Sequence, residues 1–122
     1  MSSKLALTIG AFAALIFGAA LALAPEQMLS GFGLGVPIEA QVLSRDVGVT
    51  LLGLALVNWM AREATGKAVR ALLIGNFFIQ VAEFAVNAIE IAAGALPGLA
   101  TGGLVLHLAL AVVFALALRR PV

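Results

Sequence analysis

Between its charged residues this chain runs through long uncharged stretches, and these constrain its fold more than any other feature. They extend from Leu5 to Pro25, from Val47 to Ala61, from Ala71 to Ala82 and from Ile91 to Leu118. About 20 apolar residues in a helix cross a hydrocarbon core of about 30 Å. The first and fourth stretches meet that length outright. The second and third meet it once Arg45, Asp46, Glu83 and Glu90 are admitted to the membrane or its edge. Composition agrees, with 63% of residues hydrophobic and 11% charged against about 25% charged in soluble domains. A water-soluble globule, a disordered tail and a nucleic-acid binder are thereby excluded. A net charge of +1 provides no basic surface for a phosphate backbone. With no cysteine, disulfides, thiol catalysis and thiolate metal sites are excluded as well.

The expected fold is all-α: a single four-span integral membrane domain over residues 1–122, with helices at about 4–24, 38–63, 67–93 and 98–119. Its topology is an up-down-up-down four-helix bundle. Ala24-Pro25 closes the first span, the Gly31 to Pro37 stretch is a flexible connection, and Pro37 with Glu39 suits a helix start. Thr65-Gly66 makes a tight hairpin with Gly66 in a left-handed position. Gly94 to Gly103 supplies the last turn. Lys4, an apolar run and Ala22-Leu23-Ala24 imitate a signal peptide, but Pro25 directly after the cut favours a retained span.

Cations set the orientation, because Lys and Arg accumulate on the cytoplasmic side of short loops. Lys4, Arg62, Lys67, Arg70, Arg119 and Arg120 share one side of a four-span topology, and Arg45 alone falls on the other. Both termini are therefore expected to be cytoplasmic, in a cell membrane of the bacterial inner-membrane type. Trp59 near the basic edge reads as an interfacial belt residue. Gly10, Ala14, Gly18 and Ala22, at four-residue steps, form a small-residue ridge for close helix approach. That ridge serves either packing inside the bundle or the seam of a homo-oligomer.

Asn76, Gln80, Glu83, Asn87 and Glu90 recur at helical steps and so share one face of the third span. The opposite face reads Ile74, Phe78, Val81, Ala85, Ile89 and Ala92. An acid near the membrane centre costs about 2.5 to 3.5 kcal/mol on insertion scales, so the polar face should turn inward. At about 1.5 Å per residue, Glu83 stands roughly 18 Å from the basic boundary near Ala71, and His107 roughly 12 Å from the opposite one. Three polar layers are thus expected. Asn58 meets Asn76 nearest the cytoplasm, Glu83 meets His107 near the middle, and Arg45 pairs with Asp46 or Glu90 at the outer mouth.

No Lys or Arg is expected at the depth of Glu83, which leaves it to exchange a proton with His107 or to face a cationic ligand. The candidate ligand-binding set is Asn58, Asn76, Gln80, Glu83, Asn87 and His107, with Glu83 and His107 as candidate acid and base. The lining suits a binding or transport protein for a small lipophilic, cationic or proton-coupled ligand. Its alternatives are an isomerase-like acid/base enzyme on a lipophilic substrate, and an accessory subunit that buries the stripe against another chain. One His and no Cys support neither a metal site nor another cofactor, and no glycine-rich phosphate cradle is present.

The segment Glu83 to Glu90 looks like the membrane acid/asparagine motif of bacterial diacylglycerol kinase, but its spacings are exchanged and no kinase site is carried over. More broadly, Pro25, Phe32-Gly33, Arg45, Gly48, Gly53 and Ala61-Arg62, followed by two more apolar helices, resemble the small bacterial DoxX-like membrane proteins. That resemblance implies the four-span fold and no residue roles.

Overall fold

The computed structural model describes residues 1–120, which form helices and turns without a strand. Helix α1 spans Ser3–Leu23, a short α2 Pro25–Gly31, α3 Ile38–Ala61, α4 Lys67–Ala92 and α5 Thr101–Leu118, the last entered through a 3-10 turn at Gly98–Ala100. Four stretches, Ser3–Leu23, Ile38–Ala61, Lys67–Ala92 and Gly98–Leu118, are long and apolar enough to cross a membrane. Their ends fall within two residues of those expected from the sequence.

Helix α2 was not expected, being too short to register as an apolar run. Pro25 occupies its first turn, where a missing N–H costs no hydrogen bond, and Glu26 stands at its positive end. The same proline has a consequence for α1. It removes the N–H that would have bonded the Leu21 carbonyl one turn back. Ser44 of α3 is the donor instead, its Oγ lying 3.1 Å from that oxygen. At the other end of α3, residues 62–66 turn the chain into α4 through Gly66, whose φ of 83° and ψ of −160° are open to glycine alone.

The starts of α1 and α4 and the ends of α3 and α5 gather at one end of the molecule, hereafter the basic end. Leu7, Val69, Leu73 and Phe114 are fully buried there. Helix α1 packs along α3, and α4 along α5, whereas α3 and α4 scarcely touch although they follow one another in the chain. The small-residue ridge explains the first pairing. A Cβ on Gly48 would lie 2.5 Å from the Ala22 nitrogen and 2.7 Å from the Gly18 oxygen, so the two backbones are in direct contact. Gly10, on the same ridge, accepts the Phe114 ring of α5, where a Cβ would come within 2.6 Å of it. The ridge thus faces α3 and α5 of its own chain.

At the opposite end the connection after α2 rests on the α4–α5 turn. A Cβ on Gly33 would stand 3.2 Å from Leu99 and 3.3 Å from Pro97. The two helix pairs are therefore tied at both ends and separate between them.

Replacing Gly48 by Val should force α1 from α3 and cost about 1–3 kcal/mol, the usual range for overpacking. Unfolding in mixed micelles against dodecyl sulfate reads this as a lower midpoint. Gly53→Ala should not lower the midpoint, since nothing lies within 4 Å of that Cβ and alanine favours a helix interior over glycine.

Candidate functional site

The space between the helix pairs is a cleft of about 390 Å³. One wall is apolar, formed by Phe17 and Leu21 of α1 with Val47, Leu51 and Leu54 of α3. The facing wall carries the polar groups, Asn76, Gln80, Glu83 and Asn87 of α4 together with His107 of α5. Phe114 closes the basic end, and Met28, Phe32 and Leu96 line the end near the loops. Helical periodicity places these groups: the lipid-type face of α4, with Ile74, Phe78, Val81 and Ile89, is exposed on the outside of the molecule.

Asn58 and Asn76 form the floor. Each donates its side-chain N–H to the other's carbonyl oxygen, at 2.9 and 2.8 Å, and Asn76 also donates to the Leu72 carbonyl at 2.9 Å. Asn58 is 0% and Asn76 3% exposed. This reciprocal amide pair is the principal contact between α3 and α4, and sequence depth anticipated it.

One turn further along α4, Gln80 is buried and its Oε1 lies 2.8 Å from Nδ1 of the half-buried His107. The middle layer therefore differs from the expected Glu83–His107 pair. Counting residues estimates depth to about a turn, and Gln80 sits on the same stripe three residues nearer the basic end. The buried amide takes the imidazole, while Glu83 is exposed within the mouth of the cleft and makes no hydrogen bond or ion pair among the described residues. Asn87 lines the cleft one turn beyond it, half-buried.

The expected outer-mouth ion pair does not form. Arg45 and Asp46 are exposed, Glu90 is half-buried, and no ion pair joins them among the described residues. Helices α3 and α4 diverge beyond the Asn58–Asn76 floor because α3 follows α1 and α4 follows α5, so Arg45 and Glu90 end on separate helix pairs. The ion pairs stand at the basic end instead, where Lys4 and Glu63 are 2.7 Å apart and Arg62 approaches the same carboxylate at 3.9 Å. Sequence reasoning missed the roles of Phe32, Met28 and Leu96 in closing the cleft, since loop residues carry no periodic signal.

The cleft can hold an apolar body against α1 and α3 while presenting amides, an imidazole and a carboxylate from the other side. No three His, Cys, Asp or Glu residues are grouped as a metal site among the described residues. Compared with family models, with curated proteins and with solved structures, the chain matches none.

Removing either amide of the floor takes from the other its side-chain partner at a buried position, a loss of about 1–3 kcal/mol. Asn58→Leu and Asn76→Leu should each destabilise, and the double variant should cost less than their sum. Interhelical pairs in membranes couple by about 0.6 kcal/mol and up to about 1.7. A dodecyl sulfate double-mutant cycle measures the coupling, and strict additivity would contradict a cooperative floor.

Proposed function

We propose that this is a multi-pass protein of a bacterial-type inner membrane, with both termini cytoplasmic, that binds or carries a small lipophilic ligand of cationic or proton-coupled character. The carrying observation is Glu83: among the described residues lining the cleft it is the one acid, and no Lys or Arg accompanies it. A carboxylate in a membrane span is costly unless a partner or water meets it. A ligand cation supplies that partner, and Gln80, Asn87 and His107 provide the hydrogen-bonding edge that orients it. Asn58 and Asn76 hold the floor and, being mutually satisfied, take no part in recognition.

Access follows from the helix pairing. The gap between α3 and α4 above the amide floor faces sideways, so a ligand dissolved in the bilayer enters between Val47 and Leu51 on one side and Glu83 on the other. Such a ligand need not cross the aqueous phase. The likeness to DoxX-like proteins belongs to this reading as far as the four-span fold and no further.

A labelled lipophilic phosphonium cation should bind the reconstituted protein saturably. Glu83→Gln should weaken it about tenfold or more, equivalent to about 1.4 kcal/mol, while a neutral aromatic probe of similar size is held equally by both. If wild type binds neither probe, the ligand reading fails. If both variants bind the cation alike, Glu83 is not its partner.

The orientation is checked separately. A fluorescent protein fused at the C-terminus should fluoresce, and alkaline phosphatase inserted at Ala95 should be active. The opposite pattern would invert the topology.

A further inference from the structure

A second groove, of about 370 Å³, runs along the outside of the α1–α3 pair and shares no lining residue with the polar cleft. Phe12 and Leu15 of α1 and Leu52, Ala55, Leu56 and Trp59 of α3 line it, so its walls are wholly apolar except for the indole N–H. Phe12, Leu15, Leu56 and Trp59 are exposed, so no part of the described chain covers them. From Leu52 to Trp59 the groove extends about 10 Å along the helix axis, a length that one hydrocarbon chain can follow.

What distinguishes this groove from the rest of the apolar surface is its basic end. The Trp59 ring forms its last wall, with the Phe12 ring set edge-on at 5.9 Å. The Arg62 guanidinium lies over the same indole, 3.7 Å from its centre, and is held there by donating to the Trp59 carbonyl. Lys4 and Arg62 flank one carboxylate, Glu63, so the cluster carries two cations and one acid. The hydrogen bond from Lys4 is the main reason that the Glu63 carboxyl is held below the usual carboxylate range, with the charges of Lys4 and Arg62 adding to it. Glu63 therefore stays ionised at neutral pH and the cluster keeps a surplus of one positive charge. An apolar slot thus ends at an indole and a surplus cation, at the level where a span leaves the hydrocarbon.

We propose that this groove is a binding site for an anionic phospholipid, one acyl chain lying between Phe12 and Leu56 and the phosphate meeting Arg62 and Lys4. Electrostatics selects the headgroup class. A zwitterionic lipid brings its own cation to a cluster that is already positive, whereas a phosphatidylglycerol-type headgroup brings only the compensating anion. Lys67, Arg70, Arg119 and Arg120 stand at the same end and raise the local concentration of anionic lipid, an attraction that salt screens. The site is independent of the ligand cleft.

Trp59 is the chain's one tryptophan and forms part of the groove, so its fluorescence reports occupancy directly. The full chain is reconstituted in phosphatidylcholine vesicles containing a minor fraction of lipid with brominated acyl chains, which quench indole on contact. Brominated phosphatidylglycerol should quench Trp59 several-fold more, per lipid, than brominated phosphatidylcholine. The preference should shrink in high salt and should be lost in Lys4→Gln/Arg62→Gln. Lys4→Gln alone, which leaves the indole contacts in place, should reduce it partway, and Arg120→Gln should largely keep it. Equal quenching by the two lipids in wild type overturns the proposal. An equal drop for Arg120→Gln and Lys4→Gln also overturns it, because the preference would then belong to the general field of the basic end.

Discussion

Backbone-to-backbone contact between α1 and α3 at Gly18, Ala22 and Gly48 is the constraint on which the remaining arrangement rests. In a lipid environment helices gain little from hiding apolar side chains from one another, so close approach and interhelical hydrogen bonds decide which helices pair. The α1 ridge offers that approach, and Ser44 adds a bond to the Leu21 carbonyl that Pro25 leaves without a donor. Helix α3 is thereby committed to α1. It meets its successor in the chain chiefly through the Asn58–Asn76 pair, and the cleft is the space left by that commitment.

Along α4 the polar stripe opens from Asn76 to Glu83. Asn76 is 3% exposed and Gln80 8%, while Glu83 is exposed. The gradient follows the divergence of the helix pairs from their packed basic end, where Phe114, Leu73 and Leu7 leave no space. Neutral amides, which can satisfy one another, occupy the tight part. The ionisable Glu83 occupies the more open part. Buried, mutually bonded amides and an exposed carboxylate are thus separated along one helix face, with Gln80 and its bond to His107 between them.

Charge distribution gives the two ends different characters. The basic end holds the ion pairs, the Arg62–Trp59 stack and the shared hydrophobic core. The opposite end is closed by loop contacts such as Gly33 against Pro97 and Leu99, and its charged residues Arg45 and Asp46 are exposed. The outer groove and the cleft accordingly differ in chemistry. One is an apolar slot with a cationic end, the other a cleft with one apolar wall, one polar wall and an acid at its mouth.

The four membrane-length helices and their approximate ends, the exposed apolar side of α4 and the meeting of Asn58 with Asn76 were legible in the sequence. All are consequences of length, of the helical period and of rise per residue, which are local properties of a chain in a hydrocarbon slab. The partner of His107, the separation of Arg45 from Glu90 and the helix at Pro25–Gly31 were not. Residue counting orders groups by depth to within about a turn and is silent about lateral position. Lateral position depends on which helix pairs approach closely, and that was settled by a few glycine contacts far apart in the chain. Thus the sequence by itself determined four membrane-length helices and a polar stripe on the third, while only the tertiary structure decided that Gln80 holds the imidazole and that Glu83 stays exposed beside the cleft.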